Sequence, residues 1–386
     1  MGSAVSNLAK TRWNGRSRSC EDDSEMGKQS SDYKGMRSNS MDAPTSLSHS
    51  DIKRSFRDDS SFNTSGSWKT GGTQRDSDCQ GLPQRLQSNY DISEGVDSKG
   101  TLPGFGCSSV QGHRGTMEDR HIAVRDLVIK GVKCSVFGVF DGHGGTACAD
   151  YLVTHMLDAL KEHLPHHMND PEAGLRAAFA AVDSGFTLSE DLSEGQKEDG
   201  STAVMLLMMN GMCYCANTGD SRAVLYRSNN DILQLSNDHK PNREDERQRI
   251  QDMGGCVLFN RVMGRLAVSR AFGDRSLKPF VTAEPECTAT RMHEGDCFAI
   301  LACDGLWDVA DLPQVREVVN WHLAARGPKA AAVALTTYAV RMGSADNITA
   351  MLVDLRSHTK GFEQRVREKK VSDPVFSPVP SGGSAG

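Results

Sequence analysis

Acidic residues stand at the ends of several apolar runs in this sequence. A carboxylate at a strand end can point into a shared cleft while the sheet holds its backbone in place. Hard cations such as Mg²⁺ and Mn²⁺ take oxygen ligands from carboxylates, carbonyls and water. Two such ions, about 3.5–4 Å apart, lower the pKa of a shared water and clamp a phosphate. The segments that suggest this chemistry are 114–119, 139–145, 217–222, 301–308 and 346–347.

Individual residues in these segments suit particular steps. Asp141 can bridge two ions with its two oxygens, and the carbonyl of Gly142 is accessible because glycine has no side chain. Arg114 can bind phosphate oxygens bidentately. His143 can protonate a leaving alkoxide near neutral pH. Each signal alone is weak, since Asp-Gly after a strand is usually only a turn. Their recurrence at several strand ends favours a metal site.

The elements that must position these residues read as adjacent strand pairs followed by paired helices. That order favours antiparallel sheets with helices packed outside, an α+β layered fold, over a parallel sheet. Segments 212–217 and 222–227 are separated by Thr-Gly-Asp-Ser, which predicts a hairpin. The predicted strands are 133–140, 202–209, 212–217, 222–227, 297–302 and 348–354, and the predicted helices are 146–164, 171–188, 243–253, 312–325 and 329–342.

Composition limits the class of protein. The chain has 386 residues and a net charge of −6, with the negative excess in the middle, which does not suggest nucleic acid as a partner. Its 11 cysteines include no CxxC pair, so neither a zinc site nor a disulfide framework is indicated. The polar composition of 1–100 predicts a disordered segment. We expect a catalytic domain over 101–356 and a flexible tail over 357–386.

Taken together, these segments resemble the type 2C metal-dependent serine/threonine protein phosphatase family. The resemblance extends over roughly residues 104–355. It implies two antiparallel sheets in a sandwich flanked by helices, with a two-metal site in the cleft between the sheets. It also implies hydrolysis of phosphoserine and phosphothreonine in proteins, with Mg²⁺ or Mn²⁺ as cofactor. Further matching segments are 200–204, 238–241, 246–255, 261–274 and 284–286.

The resemblance assigns metal ligands residue by residue. The family's counterpart of Asp141 bridges both ions, and that of Gly142 contributes a carbonyl. The counterparts of Asp304 and Asp346 hold one ion. That of Glu118 serves the other ion, partly through water. The remaining acids implied near the metals are Asp119, beside Glu118, and the pair Asp220 and Asp308, which match a third, weaker metal site.

The same resemblance assigns the catalytic residues. Arg114 matches the phosphate-binding arginine and His143 the proposed general acid. The sequence departs from the family pattern at none of these positions, so loss of activity is not indicated. The partners implied are phosphorylated protein substrates and not nucleic acid, and we expect a monomer.

The amino terminus fits the N-myristoylation pattern, with Gly2 followed by Ser6. One myristoyl chain binds membranes only marginally, so stable attachment needs a second signal. Basic residues near an anionic leaflet supply one, and Cys20 is a candidate for palmitoylation. We therefore expect a cytoplasmic protein with peripheral membrane association. The basic residues before the first acid are Lys10, Arg12, Arg16 and Arg18.

Two other classes compete with an active phosphatase. The first is a catalytically silent adaptor that acts through its N-terminal segment, and the intact set of acids opposes it. The second is a metal-dependent hydrolase of nucleotides or nucleic acid on the same acids. The acidic middle of the chain and the resemblance both oppose that reading.

Overall fold

Two antiparallel β-sheets stack face to face, and helices cover both outer faces. The computed structural model describes residues 90–95 and 103–356. One apolar core lies between the two sheets, and a second lies between one sheet and a pair of helices. The predicted α-β-β-α sandwich is confirmed.

The elements follow one another in an order that alternates strand groups with helix groups. The strands are β1 (Tyr90–Gly95), β2 (Gly104–Val110), β3 (Arg120–Ile129), β4 (Val132–Phe140), β5 (Gly142–His143), β6 (Gly200–Ser201), β7 (Ala203–Met209), β8 (Met212–Thr218), β9 (Arg222–Arg227), β10 (Ile232–Gln234), β11 (Val257–Leu258), β12 (Arg261–Val262), β13 (Phe272–Gly273), β14 (Glu286–Arg291), β15 (Asp296–Ala302) and β16 (Ile348–Asp354). The helices are α1 (Ala147–His163), α2 (Pro171–Leu188), α3 (Glu244–Asp252), α4 (Asp304–Trp307) and α5 (Leu312–Arg341).

The strands form two large sheets and two small ones. The six-stranded sheet has the order β1-β2-β16-β15-β9-β10, and the five-stranded sheet has the order β14-β8-β7-β4-β3. A three-stranded sheet, β13-β6-β5, lies beside them, and β11 and β12 form a hairpin. All strand pairs within these sheets are antiparallel.

The central strands are apolar along their whole length because both of their faces are covered. Every residue of β7 is buried. Leu206 faces the core between the sheets, whereas its neighbour Leu207 faces the core beneath α1 and α2. Successive side chains point to opposite faces of a strand, so covering both faces requires a continuous apolar run. These runs are the strands that the sequence predicts most accurately.

Five strands of the two large sheets lie outside the predicted set: β1, β2, β3, β10 and β14. The edge strand β14 has no buried residue, and β3 mixes charged with apolar positions. The predicted domain boundary at residue 101 also falls too late. β1 pairs with β2 from Tyr90↔Val110 to Gly95↔Phe105, although its composition matches the polar segment before it.

The predicted hairpin of β8 and β9 is wrong. β8 pairs with β7 and β14 in the five-stranded sheet, and β9 pairs with β15 and β10 in the six-stranded sheet. The turn at Gly219, with φ of +109°, carries the chain from one sheet to the other. Cys215 of β8 and Leu225 of β9 both lie in the core between the sheets. Placing the two strands in opposite sheets buries both side chains in that core. Asp220 is therefore placed in a crossover between sheets.

The two predicted C-terminal helices follow one another within α5 and are separated by a break at Gly327. Gly327 has non-helical angles (φ +84°, ψ −176°), and Pro328 follows it. The helix begins with a capping box between Asp311 and Gln314. No helix within the described ranges is both long and apolar enough to cross a membrane. Residues 1–89 and 357–386, with the predicted acylation site, lie outside the described residues.

Candidate metal centre and active site

In the five-stranded sheet, the ends of β3 and β4 bring two acids together. Phe140, the last residue of β4, pairs with Arg120, the first of β3. Asp141 leaves β4 just as Asp119 enters β3, so the antiparallel register makes them neighbours. The amide of Asp141 donates to the hydroxyl of Thr202, which lies between β6 and β7, at 3.3 Å.

In the six-stranded sheet, three strand ends bring further acids to the same place. Ala302, the last residue of β15, pairs with Arg222, the first residue of β9. Asp304 follows β15 and Asp220 precedes β9. Asp346 precedes β16, the neighbour of β15 on its other side. The sheet thus brings together acids from sequence positions as far apart as 220 and 346.

The carboxylates come close enough to share cations. Oxygens of Asp141, Asp220 and Asp304 lie within 4.8 Å of one another. A second group consists of Asp119, Asp141 and Cys303, with the same spacing. Asp141 belongs to both groups, as the bridging role predicted for it requires.

Burial and mutual repulsion perturb these carboxylates strongly. Burial raises the pKa of Asp141 well above its ordinary value, and the charges of Asp119 and Asp304 raise it further. Burial is also the main cause that raises the pKa of Asp304 to about 7 and that of Asp119 to about 6. Both Asp119 oxygens are buried with no partner in hydrogen-bonding geometry among the described residues. A set of buried, mutually repelling oxygens fits hard divalent cations such as Mg²⁺ or Mn²⁺.

Cys303 is a member of the second group that sequence reasoning did not identify. Its thiol donates to the Asn347 carbonyl at 3.5 Å and accepts from the Thr349 amide at 3.1 Å. Burial raises its pKa well above the usual value, and the charges of Asp119 and Asp141 act in the same direction. These surroundings favour the protonated thiol, whose two hydrogen bonds support the end of β15.

The surroundings of Gly142 leave no room for a side chain. A side chain at this position would collide with the carbonyl of Glu118 and with Ala149. Gly142 and His143 form the short strand β5, paired with β6. The close approach holds the Glu118 segment against the Asp141 end of β4.

The loop that carries Arg114 and Glu118 is held by Asn347, whose role the sequence did not reveal. The Asn347 amide nitrogen donates to the carbonyls of Gln111 and Thr116, at 2.8 and 2.9 Å. Its oxygen accepts from the amide of Glu118 at 2.8 Å. Asn347 thus fixes the loop from the residue next to Asp346. Its invisibility in the sequence is expected, since its partners are more than 200 positions away.

Arg114 lies at the mouth of the site. Its guanidinium donates to Asp346 at 2.6 Å, while 62% of its side chain stays exposed. Asp346 is not within either close carboxylate group, although its charge raises the pKa values of Asp141 and Asp304. An arginine that is anchored at one end and open to solvent can receive an anion.

Like Asp346, the predicted ligands Glu118 and Asp308 stand apart from the close groups. Glu118 accepts from the Thr116 hydroxyl at 2.7 Å, and Asp308 lies at the C-cap of α4. The charge of Asp308 still raises the pKa of Asp304. Asp220 forms an ion pair with Lys240, a cation that sequence reasoning did not place in the site.

His143 contacts an acid outside the metal cluster. Its Nε2 lies 2.7 Å from Oδ2 of Asp274, a residue 131 positions later. Burial alone would lower the pKa of His143, but the hydrogen bond and charge of Asp274, followed by the charges of Asp220 and Glu118, raise it. These interactions favour the protonated form of the imidazole.

Known proteins resemble this chain over most of the described residues. The family profile described as Protein phosphatase 2C matches residues 104–348. Probable protein phosphatase 2C 55 of Oryza sativa subsp. japonica is 39% identical over 302 residues, which cover 78% of this chain and 78% of the relative. Probable protein phosphatase 2C 76 of Arabidopsis thaliana is 38% identical over 295 residues, which cover 75% and 68%.

Solved structures show the same fold. A C. elegans sex determining protein aligns with a TM-score of 0.59 and 26% identity, covering 71% of this chain and 67% of that one. A serine-threonine phosphatase 2C from Toxoplasma gondii aligns with a TM-score of 0.57 and 24% identity, covering 69% and 98%. The chain therefore belongs to the protein phosphatase 2C family, the metal-dependent protein serine/threonine phosphatases.

Proposed function

We propose that this phosphatase hydrolyses phosphoserine and phosphothreonine in proteins at the Asp141 cluster, with two Mg²⁺ or Mn²⁺ ions. The proposal rests on the position of Asp141, which belongs to two groups of side chains. In each group the potential ligand atoms lie within 4.8 Å of one another. Asp304 and Asp346 would hold one ion, and Glu118 the other, with Asp119 close to it. Asp141 would serve both ions, and Gly142 would contribute its carbonyl. Asp220 and Asp308 form a third, weaker site.

Residues of the chain then bind and orient the phosphate group and protonate the leaving oxygen. When bound, the ions supply an activated water and neutralise phosphate charge. Arg114 binds the phosphate oxygens, with its guanidinium oriented by Asp346. His143 donates a proton to the oxygen that leaves with the serine or threonine side chain. Asn347 keeps the Arg114 loop in register with the acids.

Metal stoichiometry tests the assignment directly. Calorimetric titration of the chelated, dialysed protein with Mn²⁺ should show two tight sites and one weaker event. Asp308→Asn should remove only the weaker event, because Asp308 lies outside the close groups. Asp141→Asn should remove both tight sites, because it is shared between them. A single tight site in the wild type would contradict the two-ion assignment.

The adaptor alternative receives no support from the site. A silent member would be expected to lack one or more of the acids, whereas Asp119, Asp141, Asp220 and Asp304 lie close together. We also propose that the chain acts as a monomer on phosphoproteins and not on nucleic acid, in keeping with the net charge of −6.

The second part of the proposal is a membrane tether. Gly2 and Ser6 fit the acylation pattern, and Lys10, Arg12, Arg16 and Arg18 follow before any acid. A myristoyl chain and a basic patch are the two signals that stable peripheral binding needs. The phosphatase would then be cytoplasmic and enriched at anionic membranes, where it meets its substrates. Cys20 could add a palmitoyl group.

Gly2→Ala should release the protein from membranes without changing catalysis. Myristate is attached to the amine of an N-terminal glycine, so one added methyl group blocks acylation. The measurement is the membrane-bound fraction after cell fractionation, with a phosphopeptide assay on each fraction. Ser3→Ala makes a similar change outside the pattern and should stay bound. Equal solubility of wild type and Gly2→Ala would show that the tether is absent.

A further inference from the structure

His143 and Asp274 form a pair that the family assignment of roles does not include. The Asp274 side chain is only 7% exposed, and its Oδ2 lies 2.7 Å from Nε2 of His143. An ionised carboxylate can only accept a hydrogen bond, so Nε2 carries the proton in this contact. Nδ1 is then the ring nitrogen left to exchange a proton with the reactants.

The small three-stranded sheet sets the position of this pair. His143 of β5 pairs with Gly200 of β6, and Gly200 pairs in turn with Gly273 of β13. Asp274, directly after β13, therefore reaches across β6 to His143. A side chain at Gly200 would collide with both His143 Nε2 and Asp274 Oδ2. The glycine leaves the space in which the hydrogen bond forms.

The backbone of Asp274 is held in an uncommon conformation. Its φ of +47° is left-handed, which non-glycine residues keep only where their surroundings enforce it. Its amide donates to the Asp199 carbonyl at 3.2 Å, and its carbonyl accepts from the Leu277 amide at 2.8 Å. Asp183 of α2 accepts from the Gly273 amide at 2.9 Å. Contacts on both sides thus aim the carboxylate at His143.

We propose that Asp274 is a positioning residue that fixes the orientation and tautomer of the His143 ring for proton transfer. This inference rests on the proposed role of His143 as general acid. As the phosphorus–oxygen bond to the substrate side chain breaks, that oxygen keeps the bonding pair and takes the proton from Nδ1. The attacking water forms the new phosphorus–oxygen bond and its proton passes to the phosphate. The imidazole keeps Nε2–H on Asp274 and regains its Nδ1 proton from solvent.

Asp274→Asn separates this role from a structural one. Asparagine is close to aspartate in size and tolerates the left-handed conformation, so the variant removes mainly the charge. We expect kcat on a phosphoserine peptide to fall by about tenfold or more, toward the 10²–10⁴-fold typical of general acids. KM and the rate on an aryl phosphate should change much less, since a good leaving group needs little protonation. In a His143→Ala background, Asp274→Asn should add no further loss.

A matched control is Asp296→Asn. Asp296 is a buried carboxylate paired with Arg227 at 2.9 Å at the start of β15, outside the site. This variant should lower the melting temperature but leave the ratio of the two activities unchanged. If Asp274→Asn also leaves that ratio unchanged, or if its effect multiplies with that of His143→Ala, the positioning role is wrong.

The ring ¹⁵N spectrum of His143 gives a readout that does not depend on turnover. At a pH where the ring is neutral, the wild type should show the Nε2–H tautomer, and Asp274→Asn should shift the ring toward a mixture. An unchanged tautomer would overturn the inference. If the tautomer shifts but His143→Ala slows both substrates equally, the general-acid role of His143 fails while the hold of Asp274 on the ring stands.

Discussion

Asp141→Asn and Asp304→Asn should each reduce phosphopeptide hydrolysis by about 10³-fold or more, and chelation of the wild type should do the same. A bound divalent ion contributes several kcal/mol to transition-state stabilisation, and about 1.4 kcal/mol corresponds to tenfold in rate. Each substitution removes a charge from ligands that bind hard ions mainly through charge. Asp141 is the shared member of both close groups, so its replacement should weaken both ions.

In the presence of a chelator, these variants should be more thermally stable than the wild type, although they are less active. Burial and neighbouring charges raise the pKa values of Asp141 and Asp304, so their ionised forms destabilise the folded chain. An asparagine at either position relieves repulsion, and the chelated variants should melt above the chelated wild type. Added Mn²⁺ should raise the melting temperature of the wild type far more than that of the variants.

The measurements are phosphate release from a phosphothreonine peptide and thermal melts, each with Mn²⁺ or with chelator. Asp354→Asn is a suitable control. Asp354 lies at the far end of β16 and pairs with Arg356 at 2.8 Å. It should keep both activity and the metal-induced stabilisation. Near-wild-type turnover by folded Asp141→Asn would remove Asp141 from the site, and strong activity after exhaustive chelation would refute the metal requirement.

His143→Ala should slow hydrolysis of phosphoserine peptides by about 10²–10⁴-fold, the usual contribution of general acid catalysis. An aryl phosphate carries a leaving group that needs little protonation, so its hydrolysis should slow far less. His143 pairs with Asp274 and is outside the close carboxylate groups, so Mn²⁺ affinity should be retained. This pattern distinguishes His143→Ala from the metal-ligand variants, which should lose activity on both substrates.

The measurements are kcat for both substrates and a Mn²⁺ titration of the same preparation. His155→Ala provides the control, because His155 lies on α1 and stacks on Tyr151 with ring centroids 3.9 Å apart. It should leave both activities near the wild-type level. Equal losses on the two substrates for His143→Ala would indicate that the histidine supports the structure and does not act as the acid.

The candidate site was predictable to the extent that it depends on local signals. Asp141, Asp304 and Asp346 stand directly beside apolar runs, and the structure places all three at the ends of buried strands. An apolar run followed by an acid indicates a buried strand and the position where that strand ends. Both properties depend on residues that are close together in the chain. The same signals were absent from β3 and β14, whose residues are only partly covered, and those strands were missed.

Partnerships across the fold could not be predicted, because they depend on which strands become neighbours. The segment at Asp220 was expected to be a hairpin but is a crossover between the sheets. Turn residues indicate that the chain reverses direction, but they do not indicate which strands pair with each other. Lys240 reached Asp220, and Asp274 reached His143, only through that topology. Both residues lie in segments that resemble the family, 238–241 and 261–274, but nothing in the linear sequence indicates which residues they contact.

The amino-acid sequence by itself determined the fold class, the family and the acids from which a metal centre could be built, since apolar periodicity and strand-end carboxylates are local. The tertiary structure decided which acids place their carboxylate oxygens close together, and which basic side chains and amides lie around them. Asn347 illustrates the difference, because it holds a loop more than 200 residues earlier in the chain through three hydrogen bonds. Electrostatic and hydrogen-bond energies depend on distances in space, and those distances arise only when the two sheets have stacked.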